Sequence, residues 1–373
     1  MDYIYLPCGD QLSRDDRAIV IKLTGPRRVL STSGLNGGCR ENLHHLFNYS
    51  EVYGSADERC AMRAPTYGQH LRLLAEELDL NPLTATGLST AARMKYAKVN
   101  SKSYEDFSVT AIATAGIDVN GSRAGDPSIW HEKDGIPVPE KPGTINIMLF
   151  IDAFLSAGTL TRALVTCTEA KTAALQEVLA PSCYSQGLAT GSGTDGTIIV
   201  SNLESTTRLT NAGQHSKLGE YIGGVVKSVV KEALVAENGF KNYACGSVLR
   251  RVGRFGINGK SLWELHQSIN GSGKMNQAIF MQKLKKLDED DWIISRVSLY
   301  AHLLDLLYWR LVGPAQAEEM AAELLEGKGG IELSPPRAAV KDETNEEAAS
   351  TLINNLVYFL TLKIAGIKND RRS

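Results

Sequence analysis

Strand signals run through the first two thirds of this chain and then stop. AIVIKL, RRVLSTS, TATGLST, FSVTAIATAGIDV, TINIMLFID and ALVTCTEA are short runs of β-branched and small residues, and they read as strands. Helical patterns lie between and after them, in APTYGQHLRLLAEELDL, EAKTAALQEVLA and KLGEYIGGVVKSVVKEALVAEN. In the first of these, Leu71, Leu73, Leu74 and Leu78 read as one side. In the last, Leu218, Ile222, Val225, Val226, Val229, Val230 and Leu234 form one stripe. From Asn238 onward only helix-period apolar segments remain, punctuated by GINGK, NGSGK and GKGGIELSPPR. The expected fold is α/β or α+β: a mixed β-sheet core flanked by helices over residues 1–236, then a mostly helical domain over 237–373. Strands and helices do not alternate regularly, which argues against a doubly wound parallel sheet. KDETNEEAAS reads as a solvated linker or helix start.

Composition narrows the function. A net charge of −2 over 373 residues argues against a nucleic-acid partner. The opening MDYIYLPCGD lacks the basic and apolar regions of a secretory signal, and the longest apolar runs fall short of a membrane span. The six cysteines (Cys8, Cys39, Cys60, Cys167, Cys183, Cys245) show no C-x-x-C spacing and read as buried small hydrophobes. A cytoplasmic protein with no membrane partner is expected. The apolar stripes of 237–373 suit an internal helical core and are also compatible with a homo-oligomer.

Two phosphate-binding patterns fail on inspection. Gly259, Lys260 and Ser261 end like a P-loop, but the position that needs the first glycine is Arg254. A turn with a helix cap is expected there. Gly191 to Gly196 matches G-x-G-x-x-G, yet a strand, TIIVSN, follows where the dinucleotide motif requires a helix.

Polar side chains concentrate instead in four places in the first domain. TAGIDVNGSRAGDP presents Asn120, Arg123 and Asp126. PGTINI presents Thr144 and Asn146 on one face of a strand start, because residues two apart on a strand point the same way. CTEAKTAALQ places Glu169 and Lys171 where a strand is expected to pass into a helix. ATGSGTDGTIIVSN presents Ser192, Thr194 and Asp195, and QHSKLGE follows with His215, Lys217 and Glu220. Each has an ordinary structural reading as well: a turn for Asp126, a helix start for Glu169, a cap or surface position for His215, a solvated side chain for Glu220. Their concentration in one domain marks it as the site.

Taken in order, TAGIDVNGSRAGDP, GTINI, TEAKTAALQ, ATGSGTDGTIIV and HSKLGEYIG resemble the adenosylcobinamide amidohydrolases, enzymes of corrinoid salvage. The resemblance spans roughly Ser31 to Val230. Ser192 stands where the family usually has threonine, and Gly121 where it usually has alanine. The helical segment after Asn238 lies outside the family pattern, which leaves its role open. The resemblance implies hydrolysis of the amide that joins aminopropanol to the corrin ring, giving adenosylcobyric acid and 1-amino-2-propanol. A non-catalytic corrinoid-binding protein is the alternative.

Such a hydrolysis needs a nucleophile, a base, oxyanion donors and an acid for the leaving amine. One arrangement has water activated by Asp195 or Glu169, with His215 moving a proton and Lys171 or the Gly191–Gly193 backbone holding the oxyanion. Asn120, Arg123, Asp126, Thr144, Asn146, Ser192, Thr194 and Glu220 would then bind the substrate. A second arrangement has Thr144 or Thr194 attack through its hydroxyl. No protein cofactor is expected, since the substrate itself carries the cobalt. Asp126, Glu169, Asp195 and His215 are ligand types for a divalent metal, but without a readable ligand spacing.

Overall fold

The computed structural model describes residues 4–52, 62–128, 143–237, 246–270, 275–326 and 344–366. They form two compact units, 1–241 and 242–373.

The first unit opens with β1 (Ile4–Tyr5), β2 (Gln11–Arg14), β3 (Ala18–Lys22), β4 (Arg27–Ser31), β5 (Gly38–Arg40) and β6 (His45–Ser50). Helix α1 (Tyr67–Glu77) leads to β7 (Ala85–Thr90), β8 (Lys98–Tyr104), β9 (Phe107–Gly116), β10 (Thr144–Ile151) and β11 (Phe154–Leu155). Helix α2 (Ala157–Glu177), β12 (Gly196–Asn202), β13 (Arg208–Leu209) and α3 (Lys217–Glu237) complete it. Five strands pair in the order β1-β2-β3-β6-β7, six in the order β5-β4-β12-β10-β9-β8, and β11 pairs with β13. Both large sheets are mixed. Only β6–β7 and β10–β12 are parallel within them, and each of those pairs is joined through a helix, as a parallel connection requires.

The sheets pack face to face. Ile19, Ile21, Leu46 and Leu88 of the first meet Val29, Ile112, Met148, Phe150, Ile198 and Val200 of the second in one apolar core. Helix α1 covers the other face of the first sheet, with Leu71 and Leu74 against Phe47 and Tyr49. Leu73 is exposed, off the buried stripe on which the sequence placed it. Helices α2 and α3 pack against strands of the second sheet. The unit is therefore layered helix, sheet, sheet, helix. Alternation along β10 sets its two faces: Thr144, Asn146, Met148 and Phe150 take one side, Ile145, Ile147 and Leu149 the other.

One expected strand is a helix. ALVTCTEA lies inside α2, whose 21 residues begin after Ser156, the N-cap that accepts from the Thr159 N–H. Val165, Thr166 and Thr168 give the run its strand character. Burial of Leu160, Ala163, Cys167, Ala170 and Ala174 follows the three-and-four spacing of a helix instead. Tertiary packing overrides the local propensity.

The second unit contains α4 (Val248–Val252), α5 (Gly259–Asn270), α6 (Gln277–Asp288), α7 (Asp291–Tyr308), α8 (Pro314–Glu326) and α9 (Asn345–Ala365). Its core joins Val252, Phe280, Val297, Leu304, Leu356 and Phe359. Tyr300 is buried there and donates to the Leu352 carbonyl at 2.8 Å. Arg254 forks onto Asp305 at 2.5 and 2.7 Å, so both buried charges are paired. The P-loop look-alike is a capped helix start: Asn258 Oδ1 accepts from the Lys260 and Ser261 N–H groups. Thr344 and Glu347, both within KDETNEEAAS, form a capping box that opens α9. By length and composition α9 could cross a membrane, but half of that span is buried in the unit.

Of the cysteines, Cys167 is buried and Cys8 half-buried, and burial pushes both thiols up to about 12. Cys39 and Cys183 are exposed, which corrects their expected burial. Cys60 and Cys245 lie outside the described residues.

Candidate active site

All four polar segments contribute a residue where β10 and β12 begin. Parallel pairing sets Asn146 opposite Gly196, so Thr144 and the loop ending at Asp195 reach the same edge of the sheet. The segment after β9 joins them through a bridge between Ser122 and Gly191. Lys171 enters from α2.

Asp195 is the hub. Its carboxylate accepts from the Ile145 N–H at 3.0 Å, the Ser192 N–H at 3.2 Å and the Ser192 hydroxyl at 2.6 Å. It also forms an ion pair with the Lys171 ammonium, and the two side chains are 13% and 12% exposed. Four donors occupy the lone-pair sites of one carboxylate. Asp195 thus fixes the loop, the start of β10 and the Lys171 ammonium together.

Thr144 is buried, and its hydroxyl donates to the Thr194 carbonyl at 2.8 Å. The Thr194 hydroxyl donates to the Gly143 carbonyl at 2.8 Å, and Asn120 Nδ2 donates to the same oxygen at 2.5 Å. Asn146 belongs to the sandwich interior rather than to the edge. It donates to Asn48 Oδ1 and to the Ser89 carbonyl, both at 2.8 Å, and accepts from the Gly196 N–H. Asn48 in turn donates to Thr114 at 2.9 Å. These bonds tie the two sheets beside the site and satisfy buried amides. Sequence patterns do not mark Asn48, which sits in a strand with weak alternation, or Ser89, which takes part through its backbone carbonyl.

Arg123 and Asp126 have a turn-building role. Asp126 accepts from the Arg123 N–H at 2.8 Å and from Ser182 at 2.6 Å, pinning this turn to the loop after α2. Arg123 donates to the Leu188 carbonyl. Burial alone would raise the Asp126 carboxyl, but hydrogen bonds from Ser182, Ser185 and the Arg123 N–H outweigh it and hold the group below its ordinary 3.8. A depressed carboxyl stabilises the fold above its unfolded value, and the contribution fades as pH falls through the lower folded value. Asp126→Asn is therefore expected to lower the melting temperature at neutral pH, with the gap to wild type closing below 3.8. A gap independent of pH in thermal melts would contradict this.

Glu169, His215 and Glu220 do not join the hub. Because α2 continues through this stretch, Glu169 and Lys171 are two apart on a helix and face different ways. Glu169 is exposed and accepts from Gln214 at 2.7 Å. His215 is exposed in the turn before α3, where the capping bond to the Gly219 N–H comes from Ser216. Glu220 is exposed and pairs with Lys217 at 2.8 Å. Among the described residues, Asp126, Glu169, Asp195 and His215 do not assemble into a group of three metal-ligating side chains.

The sequence of this unit matches the family model described as adenosylcobinamide amidohydrolase over residues 6–242. The chain belongs to the adenosylcobinamide amidohydrolase family. An adenosylcobinamide amidohydrolase of Methanosarcina mazei is 33% identical over 163 residues, covering 43% of this chain and 66% of that protein. The uncharacterized protein MJ1613 of Methanocaldococcus jannaschii is 32% identical over 243 residues, covering 62% of this chain and 91% of that one. The PH0078 protein of Pyrococcus horikoshii OT3 is a looser structural likeness, with 11% identity over 63% of this chain and 83% of that one and a TM-score of 0.32.

The amidohydrolase unit thus contains the whole Lys171–Asp195 hub, and 246–366 of the helical unit lies beyond the match. Within the hub, Gly191 leaves the space that the ion pair fills. A Cβ there would stand on Asp195 Oδ2 and 2.9 Å from Lys171 Nζ. Gly191→Ala is expected to part this ion pair and lower turnover about 10-fold or more through misplacement of the loop. Wild-type turnover in that variant would show that the hub does not position the reacting groups.

Proposed function

We propose that this protein hydrolyses the amide linking aminopropanol to the corrin ring of adenosylcobinamide. The products are adenosylcobyric acid and 1-amino-2-propanol, so that an incomplete corrinoid can be salvaged and rebuilt. The family match over the unit that holds the hub carries this reading.

The geometry favours a hydroxyl nucleophile over carboxylate-activated water. Asp195 is engaged by four donors, and Glu169 is turned away on α2. Thr144 lies at the strand end beside the hub. Its Oγ1 would attack the substrate carbonyl; the carbon–nitrogen bond then breaks, the hydroxyl proton passing to the departing 1-amino-2-propanol nitrogen, and water hydrolyses the ester that is left. Lys171, held by Asp195, supplies positive charge for the developing oxyanion. Asn120 and Thr194 aim donors at the Gly143 carbonyl beside Thr144, and a substrate oxygen brought to the same place would meet the same groups.

Incubation with adenosylcobinamide followed by mass measurement of the corrinoid tests the reaction. Loss of the aminopropanol unit is expected. A bound but unchanged corrinoid would instead make the protein a corrinoid carrier.

A further inference from the structure

The Gly143–Thr144 peptide bond is held as an enzyme holds a scissile amide. Strand pairing starts at Thr144, opposite Gly116, so the Gly143 carbonyl lies just outside the ladder. Two side chains converge on its oxygen, Asn120 Nδ2 at 2.5 Å and Thr194 Oγ1 at 2.8 Å. Paired donors on one carbonyl are the geometry of an oxyanion hole. Gly143 has φ +145°, and a Cβ there would run into Asn120 Oδ1 and stand 2.8 Å from the Gly116 carbonyl. Only glycine lets the amide of Asn120 come this close. The residue that follows the polarised carbonyl carries a hydroxyl, which can close a five-membered ring onto it.

We propose that the chain cleaves itself between Gly143 and Thr144, and that Thr144 then works as an N-terminal nucleophile. Its role toward the corrinoid amide rests on the hydrolase reading; the cleavage does not. In the first step Thr144 Oγ1 bonds to the Gly143 carbonyl carbon, while Asn120 and Thr194 hold the oxyanion. The carbon–nitrogen bond breaks, and the hydroxyl proton passes to the departing nitrogen. This leaves an ester on Oγ1 and a free α-amine. One water then hydrolyses the ester, restoring the hydroxyl and releasing Gly143 as a carboxylate.

Cleavage would supply what the hub lacks. An α-amine has an ordinary pKa of about 7.7–8.0, suited to accept a proton from its own hydroxyl near neutral pH. Asp195 is already engaged by four donors. The cut strand would stay in place, because β10 is paired with β9 on one side and β12 on the other.

Intact-mass measurement and N-terminal sequencing of the denatured full-length protein test the cleavage. Two polypeptides are expected, residues 1–143 and 144–373, the second beginning with Thr144, Ile145 and Asn146. Thr144→Ala should stay whole with a wild-type circular dichroism spectrum, and Thr144→Ser should still be cut. Asn120→Ala should slow the cut by about 100-fold. A wild-type chain that remains whole on prolonged incubation while hydrolysing adenosylcobinamide would overturn the inference and leave the hydrolase reading standing. Two fragments without hydrolysis of adenosylcobinamide would support the cleavage and remove the hydrolase reading. The same cut in Thr144→Ala would assign it to a foreign protease and overturn the inference.

Discussion

Thr144→Ala is expected to lower the rate of corrinoid amide hydrolysis by at least about four orders of magnitude, the scale seen when a covalent nucleophile is removed. The fold should survive the change. Thr144 makes one side-chain hydrogen bond, to the Thr194 carbonyl, and a bond of that kind is worth about 1 kcal/mol. A loss of activity this far beyond the loss of stability cannot come from unfolding. Thr144→Ser, which keeps the hydroxyl, should retain measurable turnover. Corrinoid affinity should change little in either variant, because the removed group acts on the reacting carbonyl and not on the ring. Steady-state kinetics with adenosylcobinamide, together with equilibrium binding, check all three points. Turnover in Thr144→Ala within tenfold of wild type would return the reaction to a water nucleophile and require a base other than the Thr144 α-amine.

That Thr144 and Asn146 share a face was legible from two-residue spacing, and the face is the one toward the first sheet. Their different roles were not legible. Asn146 is spent on Asn48 and Ser89, which come from strands distant in sequence, and only the sandwich brings them together. The glycine-rich loop was read correctly as preceding a strand, and that order excluded a dinucleotide site. Its aspartate looked like a free base, because a sequence does not show how many backbone N–H groups a carboxylate will collect. Lys171 stands out in the sequence, but its setting does not. The β-branched run before it mimics a strand, so Glu169 and Lys171 seemed to share a strand–helix junction when the helix turns them apart. The strands Gln11–Arg14, His45–Ser50 and Lys98–Tyr104 carry no clear strand signal in the sequence. QLSR and KVNSKSY are polar or partly exposed runs with weak apolar alternation, and HLFNYS mixes polar residues into a strand buried along most of its length. Gly143 gave no signal beyond a glycine after a proline. Its importance lies in what its carbonyl touches, and a sequence pattern does not register that.

Asp195→Asn should separate positioning from chemistry at the hub. The amide keeps the shape of the carboxylate but loses its charge and offers one acceptor atom where the carboxylate offers two. Ile145 N–H, the Ser192 N–H and hydroxyl, and the Lys171 ammonium would then compete for that atom. Leaving a mostly buried ammonium without its partner is expected to cost about 3 kcal/mol. For a unit of this size that lowers the melting temperature by roughly 10 °C. Turnover should fall about 100-fold, since the loop bearing Thr194 and the strand start bearing Thr144 both shift when the hub loosens. Adding Lys171→Met to Asp195→Asn removes the unpaired charge, and with it most of the stability loss. Activity should stay low in the double variant, because the ammonium itself is needed at the oxyanion. Recovery of turnover along with stability would make the ion pair a purely structural feature. Full activity in Asp195→Asn alone would remove the hub from the mechanism, leaving Thr144 and its two carbonyl-directed neighbours to work without it.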